Sequence, residues 1–344
     1  MITKIKLADF RNFHSKVLEI SPKITVIVGP NASGKTNILE SLFLLSTGKS
    51  FKAKIEEEMI RYGQSITSIT GNIGIASLEV KITTGENGWP KKKLLVNGVP
   101  KRMFDFAGNF KTVLFGPWDM DLVTQSPSLR RKFLDTVLSQ VDREYRRSIL
   151  SYEKGLRQRN KLLFRIREEG IARSQLVFWN QLLVKTGNYI TEKRFEFIEF
   201  CNSNYPLSPI RCHLDYDRSV ISEGRLEQYA EEEVAAATTL VGPHRDDFIF
   251  QAYSSQRIAY RNLAAYGSRG EQRMSVLWLK IAELNFIERE TGERPTLLLD
   301  DIFSELDHEH RDTVMELTGK QQTVITTADK HFLTGLKVGD IINL

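Results

Sequence analysis

The pattern of apolar and polar positions predicts strands near both ends of the chain and long helices between them. Residues 1–28 contain three short apolar runs separated by polar turns. The third run, Ile24–Val28, is apolar and β-branched, which is typical of a buried strand. Apolar residues recur with strand-like spacing over residues 66–115, and Asn97-Gly98 predicts a two-residue hairpin turn. We therefore expect an antiparallel sheet over residues 66–115.

Helical spacing takes over after Gly116-Pro117. Ser126 followed by Pro127 predicts a helix start, with serine as the N-cap and proline at the first helical position. Residues 126–235 are predicted to form a helical lobe, an antiparallel bundle inserted between residues 1–125 and 236–344. Two apolar faces carry this prediction: Leu134, Val137, Leu138, Val141 and Tyr145 on one helix, and Leu176, Trp179, Leu182, Leu183, Thr186, Ile190 and Phe197 on the next.

The last part of the chain combines a long amphipathic helix with two apolar strands. Ser268 and Glu271 match the S-x-x-E capping box at the start of the helix. Thr296–Asp300 and Thr323–Thr327 have the composition of buried strands. The predicted fold class is α/β, with mixed parallel and antiparallel sheet and an inserted helical lobe.

The composition limits the cellular compartment and the kinds of binding partner that we expect. The 344 residues carry a formal net charge of +5 and a pI of about 9.0, which permits a polyanionic partner without requiring one. Two cysteines are too few for a disulfide framework, so a reducing cytosol is expected. Because no apolar run approaches the roughly 20 residues of a membrane span, and the N-terminus lacks a signal-peptide pattern, we expect a cytoplasmic protein without a membrane partner.

The clearest chemical motif is Gly29-Pro30-Asn31-Ala32-Ser33-Gly34-Lys35-Thr36, which matches the phosphate-binding loop G-x-x-x-x-G-K-[ST]. The motif follows a predicted buried strand and precedes a predicted helix, which is the context that it requires. Backbone N–H groups and the helix dipole favour an anion there. Lys35 is expected to reach the β and γ phosphates of ATP, and Thr36 to coordinate Mg²⁺.

A second motif, Asp300-Asp301, ends an apolar strand in the manner of a Walker B sequence. Open α/β sheets bind ligands at the carboxyl ends of their strands, so Asp300 is expected to hold Mg²⁺ with Thr36. Asp301 is expected beside the γ-phosphate, where a base or water-orienting group is useful. Ser268 permits two interpretations, a helix cap alone or an anion site for ATP bound to a partner subunit.

Basic residues are concentrated in two parts of the chain. From Arg130 to Arg167 the chain has 12 Lys or Arg against 4 Asp or Glu, an excess larger than that of the whole chain. We favour a phosphate-tracking surface on this lobe over a solvated face. Lys91–Lys93 flank the predicted hairpin as a solvated edge or a DNA-facing edge. The candidate DNA contacts are Arg130, Arg131, Arg146, Arg147, Lys92 and Lys93.

Two further segments remain open. Phe10-Arg11-Asn12-Phe13 is either a surface turn or a clamp near the nucleotide. Gly242-Pro243-His244-Arg245-Asp246-Asp247 is dense in titratable groups. Adjacent residues of an extended chain point to opposite faces, so we favour a structural turn with internal ion pairs over a metal or catalytic cluster.

The order of parts resembles the heads of ABC-type ATPases: P-loop, helical lobe, S-x-G-E-Q signature, Walker B, and an E-L-D loop ending at Asp307. More narrowly, the chain resembles the RecF family of bacterial recombination mediators, relatives of SMC and Rad50 heads. That resemblance rests on the segments Phe10–Phe13, Gly29–Thr36, Pro117–Asp135, Tyr152–Asn160, Gly242–Asp247, Tyr266–Arg273 and Leu298–Asp307.

The resemblance implies an ATP-dependent homodimer that binds double-stranded DNA and single-strand/duplex junctions, hydrolyses ATP slowly, and then dissociates. RecR, RecO and RecA are the implied partners, with RecA loaded at single-strand gaps. Ser268 and Gly270 would contact the γ-phosphate bound to the partner, and Asp307 would face the dimer interface. Arg11 and Asn12 would help to hold the nucleotide.

The chain departs from known motifs at three places, two of them relative to transport-type heads and one relative to the RecF family. Asp301 stands where those heads carry glutamate, so weak turnover is expected. Thr326-Thr327 ends a strand where they carry a histidine, and His331 comes too late to replace it. Trp118 stands where the RecF family has glutamate, which affects the assignment of a Q-loop. Rival interpretations are a coiled-coil tethering head, a transporter motor and a nuclease, and we expect the chain to lack the coiled coil and the nuclease domain.

Overall fold

The computed structural model describes residues 1–85, 90–203, 211–254, 259–304, 308–329 and 338–344. The chain divides into two compact units: residues 1–119 with 283–344, and residues 120–282. These limits differ from the predicted ones near 125 and 235, and residues 236–282 group with the helices of the second unit. As a division into domains, the three-part scheme stays a prediction.

The elements are numbered along the chain. The strands are β1 (Ile2–Phe10), β2 (Phe13–Glu19), β3 (Ile24–Val28), β4 (Ile66–Ile73), β5 (Ala76–Thr83), β6 (Lys91–Val96), β7 (Val99–Lys101), β8 (Thr112–Phe115), β9 (Cys212–Asp217), β10 (Asp247–Ser254), β11 (Ala259–Asn262), β12 (Thr296–Asp300), β13 (Thr323–Thr327) and β14 (Asp340–Asn343). The α-helices are α1 (Lys35–Thr47), α2 (Met103–Phe106), α3 (Asp121–Thr124), α4 (Pro127–Val141), α5 (Arg143–Glu169), α6 (Val177–Ser203), α7 (Glu223–Gln228), α8 (Ala230–Ala236), α9 (Leu263–Tyr266), α10 (Arg269–Thr291) and α11 (His308–Thr318). Short 3₁₀ turns cover Glu56–Met59, Pro117–Met120, Arg173–Leu176, Pro243–Arg245 and Ile302–Ser304.

The first unit has two sheets. One is antiparallel, in the order β2-β1-β4-β5-β6-β7, and the other is parallel, in the order β14-β3-β13-β12-β8. The prediction of antiparallel pairing is confirmed for β4 to β7. It was wrong for β8, which pairs parallel with β12 and is buried along its whole length, as strands covered on both faces are.

Helix α1 lies between these two sheets. It contacts β4 and β5 on one side and β8, β12 and β13 on the other. Because neighbours cover it all round, its side chains from Ile38 to Ser46 are buried, including the polar Glu40 and Ser41. The P-loop at its start is therefore fixed to a rigid part of the unit.

The second unit is built around the antiparallel pair α5 and α6. Arg159 of α5 donates to Asn180 of α6, and Tyr189 of α6 donates to Asp142 just before α5. The apolar face predicted to run on through Tyr145 is interrupted, because Asp142 ends α4 and caps α5 by accepting from two backbone N–H groups at 2.8 and 3.0 Å. A three-stranded sheet, β11-β10-β9, joins the helices, and β9 lies in the region predicted to be helical. No helix in the described ranges combines the length and the apolarity needed to cross a membrane.

Candidate nucleotide site

The P-loop starts at the carboxyl end of β3 and ends at the first turn of α1. Strands β13 and β14 flank β3 in parallel, so their carboxyl ends meet at this edge. Gly34 has φ of 105°, and a Cβ there would lie 2.6 Å from the ring of Phe13 and 2.7 Å from the amide of Asn12. Only glycine fits this conformation and this crowding.

Lys35 and Ser33 place polar groups in the loop whose hydrogen-bonding capacity is only partly satisfied by the protein. The Lys35 ammonium donates to the carbonyl oxygens of Gly29 at 2.7 Å and Pro30 at 2.9 Å, and its side chain is largely buried. The Ser33 hydroxyl is buried and has no hydrogen bond to any described residue. A buried cation and a spare hydroxyl suit an anionic ligand in the loop.

Thr36 and Asp300 meet at the same edge of the parallel sheet. The Thr36 hydroxyl lies 2.8 and 3.1 Å from the two carboxylate oxygens of Asp300. Thr326, at the end of β13, donates to one of these oxygens at 2.5 Å. A hydroxyl beside a buried carboxylate is a donor set that fits Mg²⁺, which takes few protein ligands and completes its shell with phosphate and water.

Asp301 adopts a left-handed backbone conformation, with φ of 50°. Its N–H is held by the carbonyl and hydroxyl oxygens of Thr326, at 3.1 and 3.2 Å. Such a conformation costs an aspartate roughly 1–2 kcal/mol, and it persists where neighbouring contacts fix it. The sequence located Thr326 at the strand end but gave no sign that it anchors both aspartates.

The Phe10–Phe13 loop lies beside the P-loop. Asn12 donates to the carbonyl of Ser33 at 3.0 Å and accepts from Asn37 at 2.9 Å, so it ties the P-loop to the first turn of α1. Arg11 donates twice to the buried carboxylate of Glu40, at 2.8 and 2.6 Å. Glu40 was missed at the sequence level, although a single acid in an apolar helix is a signal of a buried ion pair.

The signature segment forms the predicted capping box at the start of α10. Glu271 N–H donates to the Ser268 hydroxyl at 3.3 Å, and Ser268 N–H donates to the Glu271 carboxylate at 2.8 Å. Both Ser268 and Gly270 are exposed in their unit. Among the described residues, a Cβ on Gly270 would meet only the Ser268 hydroxyl, at 3.9 Å. Asp307 and His331 lie outside the described residues.

Trp118 serves the core of the first unit. Its ring stacks on Phe51, with centroids 5.0 Å apart and an interplanar angle of 24°. The neighbouring Asp119 accepts from the N–H of Gly116 at 2.8 Å. A tryptophan at this position therefore packs against apolar neighbours, where glutamate would have to stay hydrated.

The Gly242–Asp247 segment is a structural turn, as favoured from the sequence. Asp246 is fully buried and accepts from Tyr216 at 2.6 Å and Arg194 at 3.0 Å. His244 faces Tyr152 at 2.8 Å, and burial lowers the pKa of His244 from 6.5 to about 4. The titratable groups are thus satisfied by different neighbours, and they do not converge on one ion.

Two of the predicted DNA contacts on the helical lobe instead bind residues of this turn. Arg130 is only 6% exposed and forms a two-pronged ion pair with Asp247, at 2.6 and 2.8 Å. Arg131 is half-buried and donates to the backbone carbonyl of Asp246 at 2.8 Å. The charge of Arg130 is therefore neutralised inside the unit. The assignment of Arg130 to DNA stays a prediction, and these contacts do not favour it.

The remaining predicted DNA contacts differ in exposure. Arg146 donates to the carbonyl of Ser139 at 2.6 Å, whereas Arg147 is exposed and lies 3.7 Å from Glu144. In the hairpin, Lys92 is half-buried and is tied to Glu56 and to a backbone carbonyl, and its assignment to DNA stays a prediction. Lys93 is exposed.

These features define a class: a P-loop ATPase head of the ABC type, in which the loop and the Walker B aspartate meet at one edge of a parallel sheet. The fold agrees with that of SMC heads. A solved SmcHead bound to the C-winged helix domain of ScpA has a TM-score of 0.51 and 18% identity, and covers 96% of this chain and 90% of that one.

Closer relatives identify the family. The model of the RecF/RecN/SMC N terminal domain matches residues 1–338. Proteins named DNA replication and repair protein RecF are 34% identical in Herpetosiphon aurantiacus and 35% in Chloroflexus aurantiacus, over 95% and 94% of this chain and 93% and 92% of theirs. A solved structure of the recombination mediator protein RecF-ATP in the RecFOR pathway has a TM-score of 0.86 and 30% identity, over 96% of this chain and 92% of that one. The chain belongs to the RecF family.

Proposed function

We propose that this chain is an ATP-gated DNA-binding switch of replication and recombinational repair. Mg·ATP binds in the P-loop, two copies close around two ATP molecules, and the dimer holds duplex DNA until slow hydrolysis releases it. The observation that carries the proposal is the contact of Thr36 with Asp300, which joins the two motifs of a nucleotide site. The solved RecF relative described with ATP supports it.

Each residue of the site has a proposed task. The N–H groups of the P-loop cradle the phosphates, and Lys35 exchanges the carbonyls of Gly29 and Pro30 for the β and γ phosphates. Thr36 and Asp300 hold Mg²⁺, which neutralises charge on the phosphates when bound. Asn12 keeps the loop in register with α1.

Slow turnover is proposed from Asp301. Its carboxylate orients the attacking water, and its side chain is one methylene shorter than the glutamate of transport-type heads. The carboxylate of Asp301 therefore lies farther from the γ-phosphate than a glutamate carboxylate would, and hydrolysis is slow. ATP then stays bound long enough to act as a switch.

The second half of the site is proposed to come from another copy. Ser268 and Gly270 stand exposed at the start of the 23-residue helix α10, where backbone N–H groups favour an anion. In the dimer these residues contact the γ-phosphate held by the partner subunit's P-loop, with Asp307 at the same interface. ADP lacks that phosphate, so it does not join the copies.

The proposed partners follow from the family. Relatives are named for DNA replication and repair, and solved RecF structures are described in the RecFOR pathway. We propose duplex DNA and single-strand/duplex junctions as ligands, and RecR, with RecO and RecA in the same pathway, as protein partners. The net charge of +5 suits a polyanion.

Duplex binding measured with and without nucleotide tests the proposal. Wild-type protein should bind a labelled duplex more tightly with Mg·ATP than with ADP. Lys35→Met should lose ATP affinity by about 10- to 100-fold, since it removes charge-assisted hydrogen bonds, and should lose the ATP effect on DNA. Lys49→Met, at an exposed lysine just after α1, is the control. Equal duplex affinity in all nucleotide states would contradict gating.

A further inference from the structure

We propose that one face of α5 is a track for the phosphates of duplex DNA, centred on Lys154, Arg157 and Lys161. The inference rests on the proposed function of ATP-gated DNA binding and assigns the surface that performs it. It replaces the buried Arg130 and the tied Lys92 as DNA contacts.

Helix geometry puts the three residues on one face. At 100° per residue, Lys154, Arg157 and Lys161 fall within an arc of about 60°, and they span about 10 Å along the axis. All three are exposed, and none forms an ion pair or hydrogen bond with another residue in the described ranges.

Two more arginines extend the row. Arg147 and Arg165 lie on the same face and lengthen it to about 27 Å. Arg147 is 3.7 Å from Glu144 and Arg165 is 2.9 Å from Glu169, both on the surface. Exposed ion pairs of this kind contribute little to stability, so they can be exchanged for phosphate contacts at little cost. We call these five basic residues the α5 track.

Like charges at these spacings repel one another. Lys154 and Arg157 are three residues apart, and Arg157, Lys161 and Arg165 follow at intervals of four. Like charges at these intervals are neighbours on the helix surface and destabilise the helix slightly. Elsewhere on α5 the basic side chains are neutralised or anchored, as Arg159 is by the buried Glu233 at 2.6 Å. The row of like charges is thus complementary to a polyanion laid along the helix.

The track suits a duplex better than a single strand. Single-strand sites combine charge with successive aromatic rings on which bases stack. Within the track the described side chains include one exposed ring, Phe164, and Arg167 lies over it at 5.4 Å from the centroid. A 27-residue helix presents its charges at fixed intervals, which matches the regular phosphate charge of a stiff duplex.

Three double-lysine variants test the track against its rivals. Lys154→Ala/Lys161→Ala removes its centre, Lys91→Ala/Lys93→Ala removes the exposed edge of the hairpin, and Lys23→Ala/Lys320→Ala removes two exposed lysines at the other end of the parallel sheet. Alanine preserves helix propensity in α5. Each protein is titrated with a fluorescent duplex and a single strand of equal length, in Mg·ATP, from 50 to 200 mM salt, and its ATP affinity is measured in parallel.

The α5 variant should keep wild-type ATP affinity and lose duplex affinity by about tenfold or more. The slope of log affinity against log salt should fall by about 1.8, at 0.9 for each lost phosphate contact. The other two variants should keep the wild-type slope. An unchanged slope in the α5 variant, an equal loss for the single strand, or a loss confined to the hairpin variant would each overturn the track while leaving ATP gating intact. Failure of wild-type protein to bind duplex at all would overturn both proposals.

Discussion

The hydroxyl of Thr36 donates to the carboxylate of Asp300 across 264 residues of sequence, at 2.8 and 3.1 Å from its two oxygens. Thr326 donates to the same carboxylate from the strand between them. The P-loop and the Walker B strand therefore form one rigid set of oxygen ligands, and three parts of the chain must fold together to make it.

Replacing Asp300 by asparagine tests this ligand set. Asp300→Asn keeps the shape of the side chain and still accepts from both threonines, so the thermal midpoint should move little. It removes the charge that holds Mg²⁺, so ATP hydrolysis should fall by at least about 100-fold. Steady-state hydrolysis over a Mg²⁺ titration measures this, and Asp340→Asn, at an exposed position of β14, is the control. Wild-type turnover in Asp300→Asn would refute the assignment.

The shape of the P-loop can be tested at Gly34. Gly34→Ala should lose ATP affinity by more than about tenfold and lower the free energy of unfolding, because its Cβ would displace Asn12 and Phe13. Gly63→Ala is the matched control: φ there is 80°, and no atom of a described residue lies within 4 Å of the added Cβ. Gly63→Ala should lower the free energy of unfolding only by the conformational cost of alanine at a positive φ, about 1–2 kcal/mol. Calorimetric ATP titration and thermal melting of both variants separate the effect of crowding by the added Cβ from the effect of backbone strain. Equal losses of ATP affinity and of stability in the two variants would contradict the account.

The second unit depends on a buried ion pair. Arg159 and Glu233 are 2.6 Å apart and nearly inaccessible. Arg159→Met should lower the free energy of unfolding by about 3–5 kcal/mol, because it leaves an uncompensated carboxylate. The double variant with Glu233→Met should lose less than the sum of the single variants. Arg173→Met, in the exposed pair with Glu231, should lose under about 1 kcal/mol. Urea denaturation measures the free energy of unfolding of the three single variants and the double variant. Similar losses of stability in Arg159→Met and Arg173→Met would contradict the role of burial.

Acid should destabilise the protein through His244. Its folded pKa of about 4 lies below the ordinary 6.5, so the unfolded chain takes up the proton first as the pH falls. The contribution to stability is complete above pH 6.5 and is lost between about pH 6.5 and 4, by an amount of the order of 3 kcal/mol. Unfolding at a series of pH values should show a shallower decline for His244→Gln. The exposed His14→Gln controls for loss of a histidine, and identical declines for wild type and His244→Gln would exclude this source.

Local sequence patterns predicted much of the nucleotide site, but they did not predict which side chains distant in sequence contact each other. Strand β3, its loop and α1 follow from adjacent residues, and so does the capping box of Ser268. Glu40 could not be matched to Arg11, nor Asp247 to Arg130, because no local pattern records which distant side chain closes an ion pair. The sequence identified the basic window as a whole, but it did not show that Lys154 is exposed whereas Arg159 is buried. The β9 strand was missed because its pairing partner, β10, lies far along the chain beyond two helices.

Sedimentation velocity tests the central claim most directly, that ATP joins two copies of this chain. At micromolar protein, Mg·ATP should shift wild type from monomer to dimer, while ADP and buffer leave it monomeric. Ser268→Arg should bind ATP with wild-type affinity and stay monomeric, because the larger cation blocks the exposed helix start from the partner's nucleotide. Ser174→Arg, at another exposed serine of the same unit, should dimerise normally. A wild-type protein that sediments as the same species with ATP, ADP and no nucleotide would contradict the account.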